Sequence, residues 1–164
     1  MPRFLCDAML GSLARWLRFF GYDAEYMDPS TEDRLLAERA RSESRWLLTR
    51  DRELAAIGPR TILLRSEGVE EQLVEVFGRL GVRPKVGLGR ARCGECNGEL
   101  EPADAGTVAP DVPPYVLRTA ERFKRCRGCG RVYWPGSHGD RILAAMGRVA
   151  ARLQSRSTSE PGRE

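Results

Sequence analysis

The chain has 164 residues, enough for one compact domain or one domain with a small satellite. Hydrophobic residues make up 41% and charged residues 30%, which excludes a largely disordered chain, and no apolar run reaches the ~18 residues of a membrane span. The net charge of +4 sits wholly in residues 90–164, while residues 1–89 are balanced. The densest stretch of that basic half carries Arg118, Arg122, Lys124, Arg125, Arg127 and Arg131 against Glu121 alone, a phosphate-binding surface or equally a solvated face of an Arg-rich chain. The opening Met1-Pro-Arg-Phe-Leu-Cys-Asp7 meets an acid before a signal-peptide core can form, so a cytosolic location is expected.

In chain order, residues 3–6 read as a short buried strand. Leu13, Trp16, Leu17 and Phe20 follow at helical spacing, with Gly21 placed to stop the helix. Residues 24–27 read as a second strand. A second helix starts near Ser30 and is marked by Leu35, Leu36, Ala37 and Ala40. The spacing predicts a third strand over 45–49, a short helix around 53–57, a fourth strand over 61–64, and a helix through Leu73, Val76, Phe77 and Leu80. Alternating strands and helices imply a parallel sheet covered on both faces.

From about Arg83 the pattern changes to a linker, then to residues 93–134 with few regular apolar repeats and a loop signal at Pro110-Asp-Val-Pro-Pro114. Asp140 is placed to cap a last helix with Ile142, Leu143, Met146, Val149 and Leu153 on one face. Residues 154–164 read as a disordered tail. The expected divisions are an α/β domain over 1–89, a cysteine-bearing unit over 90–139, a helix over 140–153 and the tail.

Asp7, Asp28 and Asp51 each follow a predicted strand, and Asp33 falls in the first turn of the second helix. In an open parallel sheet these positions share the carboxyl edge, outside which ligands bind. Clustered carboxylates repel one another unless a cation neutralises them, and an all-oxygen cluster suits Mg²⁺ or Mn²⁺. Such an ion can hold phosphate oxygens and activate water. With a single histidine, His138, and no Ser-His-Asp arrangement, metal-assisted hydrolysis fits better than nucleophilic catalysis. Each acid also has a plainer reading: Asp7 and Asp51 as helix caps, Asp33 as part of a capping box begun by Ser30, and Asp28 as a turn former. Arg15 and Arg50 are placed to reach a substrate phosphate from the same rim, or are surface charges. Cys6 reads as a small core residue.

Cys93-Gly-Glu-Cys96 and Cys126-Arg-Gly-Cys129 have the spacing of a zinc ribbon, whose four thiolates close the Zn²⁺ coordination and leave no open position. Stable disulfides are disfavoured in a cytosolic chain. Tyr133 and Trp134, just after the second pair, could stack on bases or pack the ribbon.

Phe4-Leu-Cys-Asp7-Ala-Met-Leu-Gly-Ser-Leu-Ala-Arg15-Trp-Leu-Arg-Phe-Phe-Gly21 resembles the opening of the Mut-seven C-terminal RNase family. Asp33-Arg-Leu-Leu and Leu47-Leu-Thr-Arg-Asp51-Arg-Glu-Leu resemble its second and third acidic motifs, and Cys126-Arg-Gly-Cys129-Gly-Arg-Val-Tyr-Trp-Pro-Gly-Ser-His138 its closing motif. The resemblance covers roughly residues 3–146. It implies a PIN-like nuclease fold with an appended zinc ribbon, with Asp7, Asp33 and Asp51 holding a divalent metal. The fourth acid usual in PIN domains has no clear match; Glu53, Asp28, Glu70 or none of them takes that place, which leaves one-metal and two-metal chemistry both open.

The expectation is therefore a Mg²⁺- or Mn²⁺-dependent ribonuclease acting on single-stranded RNA, with a structural Zn²⁺ ribbon helping to hold substrate through Arg122, Lys124, Arg125 and Arg131. Its competitors are a non-catalytic RNA-binding module and a metal-dependent phosphatase, which fold alone does not separate.

Overall fold

Short apolar runs at 4–6, 24–26, 46–49 and 61–63 form the strands of one sheet, because each presents side chains to two buried faces. The computed structural model describes residues 1–58 and 60–158, the side chains of 157 and 158 excepted. Strands β1 (Phe4–Cys6), β2 (Ala24–Tyr26), β3 (Trp46–Thr49) and β4 (Thr61–Leu63) lie in the order β2-β1-β3-β4, all parallel. Phe4, Cys6, Ala24, Leu48 and Ile62 point to one face, where α1 (Gly11–Phe19), α4 (Val69–Arg79) and α7 (Ser137–Thr158) cover them. Leu5 and Leu47 point to the other, under α2 (Asp33–Ser42) and α3 (Arg52–Ile57). The result is a three-layer α/β sandwich.

The strand order reverses between β1 and β3, so the carboxyl ends of these two strands flank the crevice where open α/β sheets take ligands. Gly21 ends α1 as expected: its φ of +87° is left-handed, and Tyr22 N–H reaches back to the Leu17 carbonyl. A β-carbon there would also meet the Arg90 backbone carbonyl at 2.8 Å.

The final helix differs from expectation at both ends. It begins at Ser137, so Asp140 sits inside its first turn, and it runs to Thr158, making 154–158 helical. Residues 159–164 of the expected tail lie outside the described residues. Ile142, Met146, Val149 and Leu153 enter the main core, and Arg148 and Arg152 pair with Glu70 and Glu71 of α4.

Residues 100–133 form a second sheet of β5 (Leu100–Ala103), β6 (Phe123–Cys126) and β7 (Val132–Tyr133), antiparallel in that order. Two short helices, α5 (Ala105–Val108) and α6 (Pro114–Thr119), fill the stretch between β5 and β6. The Pro110–Pro114 loop signal is thus partly overridden, because proline suits the first turn of α6. This unit has its own core of Val108, Val112, Val116, Phe123 and Val132.

Candidate active site and metal centre

Two sites of different chemistry stand on this frame: an acidic rim at the carboxyl edge of the parallel sheet, and a sulfur cluster beneath α1.

At the rim, Asp7 follows β1 and Asp51 follows β3. Asp7 N–H donates to the Leu48 carbonyl at 3.0 Å, which fixes the exit of β1 against β3. The fully buried Thr49 lies between the two acids. Its hydroxyl donates to Asp7 Oδ2 at 2.8 Å and accepts from Asp51 N–H at 2.9 Å. Asp7 Oδ1 accepts from Ala8 N–H at 2.5 Å, and Asp51 Oδ1 accepts from the N–H groups of Glu53 and Leu54 at 2.7 and 3.1 Å. Both aspartates are therefore helix caps, for the 3-10 turn Ala8–Leu10 and for α3. Capping occupies one oxygen of Asp51; its Oδ2 has no hydrogen-bond partner among the described residues.

Asp33 is the first residue of α2, exposed, its side chain without a hydrogen bond or ion pair among the described residues. The capping box, the plainer reading of Asp33, does not form. Ser30 instead gives both its N–H and its hydroxyl to Asp28 Oδ1, at 2.8 and 2.6 Å, and Glu32 takes the cap position. These bonds from Ser30 hold the Asp28 carboxyl below its ordinary range, as expected of a turn former. The structure thus ties Asp7 to Asp51 through Thr49 and leaves Asp33 separate. The three carboxylates do not all lie within 4.8 Å of one another. Of the fourth-acid choices, Glu70 is committed to Arg148, and Glu53 is exposed on α3.

The sulfur cluster is closed. Sγ atoms of Cys93, Cys96, Cys126 and Cys129 all lie within 4.8 Å, the one such group among the described residues. Cys93 is 3.6 Å from Cys129 and Cys96 is 3.4 Å from Cys126. These separations are far beyond a disulfide bond and near the ~3.8 Å edge of a tetrahedron with Zn–S of about 2.3 Å. The four thiols are unpaired and could hold a metal such as zinc. Burial pushes the Cys93 thiol up, but the Tyr133 hydroxyl at 3.0 Å and the N–H groups of Cys96 and Glu95 outweigh it and bring it to about 6. Burial and hydrogen bonds with the other three cysteines push the Cys96 thiol the other way, up to about 12.

Of the two aromatic residues after the second pair, Tyr133 packs the ribbon, while two further residues at the cluster, Gly98 and Gly128, were not singled out by sequence. Tyr133 also accepts from Gly94 N–H at 3.2 Å, so it serves the sulfur cluster, while Trp134 stays 38% exposed. At Gly98 a β-carbon would stand 2.7 Å from the Cys126 sulfur, and at Gly128 it would stand 3.1 Å from that of Cys96. A glycine two residues after Cys96 and another two residues after Cys126 are the signal that could have marked them.

The first knuckle is bolted to α1. Buried Arg18 donates to the carbonyls of Gly94 and Glu95 at 2.8 and 3.0 Å and to that of Ala24 at 2.8 Å. Arg15, expected at the acidic rim, pairs instead with Glu95 at 3.0 Å. Asn97 gives its amide to Asp23 and Glu25 and accepts from Ala24 N–H.

The expected RNA-binding cations divide in the same way. Arg125 is half-buried and spends its guanidinium on Gly130 and Thr107 carbonyls and on Asp111 at 2.7 Å. Lys124 reaches the Gly89 carbonyl at 3.2 Å. Arg122 and Arg131 are exposed. Arg50 makes one ion pair, with Glu67 at 3.3 Å. Cys6 is fully buried in the core, where desolvation pushes its thiol up to about 12.

No solved structure matches the chain. The human exonuclease mut-7 homolog is 26% identical over 237 aligned positions, which cover 97% of this chain and 26% of that protein. The chain therefore spans about a quarter of the length of that relative. The Mut7-C RNAse domain family matches residues 2–146, from the first strand through the sulfur cluster into the first half of α7, and the chain belongs to that family.

Proposed function

We propose that the protein is a Mg²⁺- or Mn²⁺-dependent ribonuclease of PIN-like architecture that cleaves single-stranded RNA in the cytosol. The observation that carries this reading is the Asp7–Thr49–Asp51 linkage at the crevice between β1 and β3. Thr49 holds Asp7 from one side, and the cap bonds hold Asp51 Oδ1, so two carboxylates are preset with lone pairs left over. The donor set is all oxygen, which fits a hard divalent ion rather than zinc. Asp7 and Asp51 would hold the ion, and Asp33 of α2, outside their immediate group, would add negative charge at the rim rather than a third ligand oxygen. Bound there, the ion would supply phosphate charge neutralisation and an activated water for in-line attack. Arg50, next to Asp51, would hold a substrate phosphate; of the other cations, Arg122 and Arg131 are exposed and uncommitted among the described residues, whereas Arg15, Lys124 and Arg125 already hold protein groups.

The cysteine tetrad would hold one Zn²⁺ with all four positions filled, a structural role with no site for water. The test is cleavage of labelled single-stranded RNA with and without Mn²⁺, comparing wild type with Asp7→Asn and Asp51→Asn. Asparagine remains a good helix cap, so both variants should stay folded. Each should lose at least about 100-fold in rate, on the scale of losing a directly held catalytic group. Cleavage by Asp51→Asn at the wild-type rate would reject this centre, and RNA binding without any cleavage would point to the non-catalytic module.

A further inference from the structure

We propose that the cleft at the carboxyl ends of β3 and β4 grips the backbone of a single RNA strand through Arg52 and Arg65, with Arg50 at its side. This rests on the nuclease reading above and adds where the strand lies. The cleft measures about 700 Å³ and is lined by Arg50, Arg52, Leu63, Leu64 and Arg65. Three guanidinium groups share it, and no carboxylate is among the lining residues.

Several arginines elsewhere are committed to acids: Arg45 to Asp23, Arg79 to Glu75, Arg125 to Asp111, Arg148 to Glu70. Arg52 and Arg65 are exposed and have no side-chain hydrogen bond or ion pair among the described residues. The bond of Arg50 to Glu67 is weak, because Glu67 is 87% exposed and solvent screens the pair. Like charges brought together without counter-charge repel, and an anion bound among them relieves that repulsion.

The chemistry of the lining fits a polyanion with sugar between its charges. Guanidinium forks bind phosphate oxygens in pairs, and Leu63 and Leu64 offer apolar surface between them. Arg50 and Arg52 are the immediate neighbours of Asp51 in sequence, so a strand held in the cleft runs directly onto the acidic rim. Contacts of this kind position a substrate without reading its bases.

The test measures binding of a fluorescein-labelled single-stranded RNA by anisotropy across a salt series, with no Mg²⁺ or Mn²⁺ added. Arg52→Ala/Arg65→Ala is compared with wild type and with Arg41→Ala/Arg60→Ala. Arg41 and Arg60 line a smaller cavity at the opposite edge of the sheet, so the control removes the same charge elsewhere. The cleft variant should bind at least about 10-fold more weakly, and its salt slope should flatten by ~1.4, two contacts at ~0.7 each. The control should stay within about 2-fold of wild type. Equal weakening in both variants, unchanged affinity in the cleft variant, or no RNA binding by wild type overturns the proposal. Arg65→Gln alone, measured beside the double variant, keeps the comparison should the double variant fail to fold.

A parallel Mn²⁺ cleavage assay separates the two ideas. Wild-type cleavage with unaltered binding by the cleft variant rejects the cleft and leaves the nuclease reading in place. Absent cleavage with binding lost only in the cleft variant rejects the nuclease reading and leaves the cleft as an RNA-binding surface.

Discussion

Arg18 of α1 donates to the Gly94 carbonyl at 2.8 Å across a separation of 76 residues, so the helix behind the acidic rim is fastened to the first cysteine knuckle. Arg18 is only 6% exposed, and its other bonds satisfy the Glu95 and Ala24 carbonyls. Replacing it with methionine fills similar space but leaves these carbonyls without their donor. An unsatisfied buried acceptor costs about 1–3 kcal/mol, and relaxation shares part of that over three groups. Arg18→Met should therefore lower unfolding stability by about 3 kcal/mol in urea titration. Arg18→Lys should recover only part, because a single ammonium cannot reproduce the fork. A loss below about 1 kcal/mol for the methionine variant would mean the fastening is not energetically important.

Acid sensitivity should trace to Asp23, which joins the same fastening from the start of β2. Burial pushes its carboxyl up, but bonds from Arg45 at 2.7 and 3.1 Å and from Asn97 at 2.7 Å outweigh this, as do the charges of Arg45 and Arg92. The folded-state pKa is thus below the unfolded one, which lies near ~3.9. The stabilisation is fully present above that value and is lost as pH falls through the folded pKa. Asp23→Asn should be less stable than wild type at pH 7, and the gap should narrow only below about pH 4. Urea midpoints measured from pH 7 to pH 3 check this. A gap that closes between pH 7 and pH 5 would assign the effect to another group.

Much of the parallel-sheet half was legible because apolar runs and helical stripes alternate there without interruption. The four strands formed within a residue of the expected bounds, and Leu5 and Cys6 point to opposite buried faces as the period of two requires. Less was legible where local signals compete. Ser30-Thr-Glu-Asp33 has the residues of a capping box, but Asp28 captures Ser30 first. The proline cluster at 110–114 reads as loop, yet Val112 and Val116 are drawn into a small core with Phe123. Long-range pairs were not readable at all: nothing local marks Arg15 for Glu95 or Arg125 for Asp111. Thr49 carries only a strand signal in the sequence, whereas its hydroxyl is the bridge between the two strand-end acids.

Gly98 should be intolerant of any side chain. A β-carbon there would approach the Cys126 sulfur to 2.7 Å, the Cys96 sulfur to 3.2 Å and Gly128 N to 3.3 Å. Neither the sulfurs nor the backbone can yield without opening the tetrad. Gly98→Ala should therefore reduce bound zinc per chain, measured by elemental analysis after dialysis against a mild chelator. Because structural zinc contributes folding free energy, its melting temperature should fall as well. The companion Gly106→Ala has open space around it and should retain metal and stability. Full zinc retention by Gly98→Ala would show that the sulfur cluster has more room than its geometry implies.

Thr49→Val separates positioning from binding at the acidic rim. Valine keeps the shape of a side chain that is fully buried, so the sheet should persist. It removes the hydroxyl that donates to Asp7 Oδ2 and accepts from Asp51 N–H. Asp7 then loses the bond that orients it, and Asp51 N–H loses its acceptor. Losing such an outer partner of a metal-holding group typically costs about 10–100-fold in metal affinity or activity. Thr49→Val should accordingly cut RNA more slowly by that factor and need more Mn²⁺ for half-maximal rate, while its RNA affinity without the ion stays near wild type. Thr49→Ser restores the hydroxyl and should recover most of the rate. If valine and serine variants both match wild type in Mn²⁺ dependence, the Asp7–Thr49–Asp51 linkage is a strand-end lock only, and the ion must be held elsewhere.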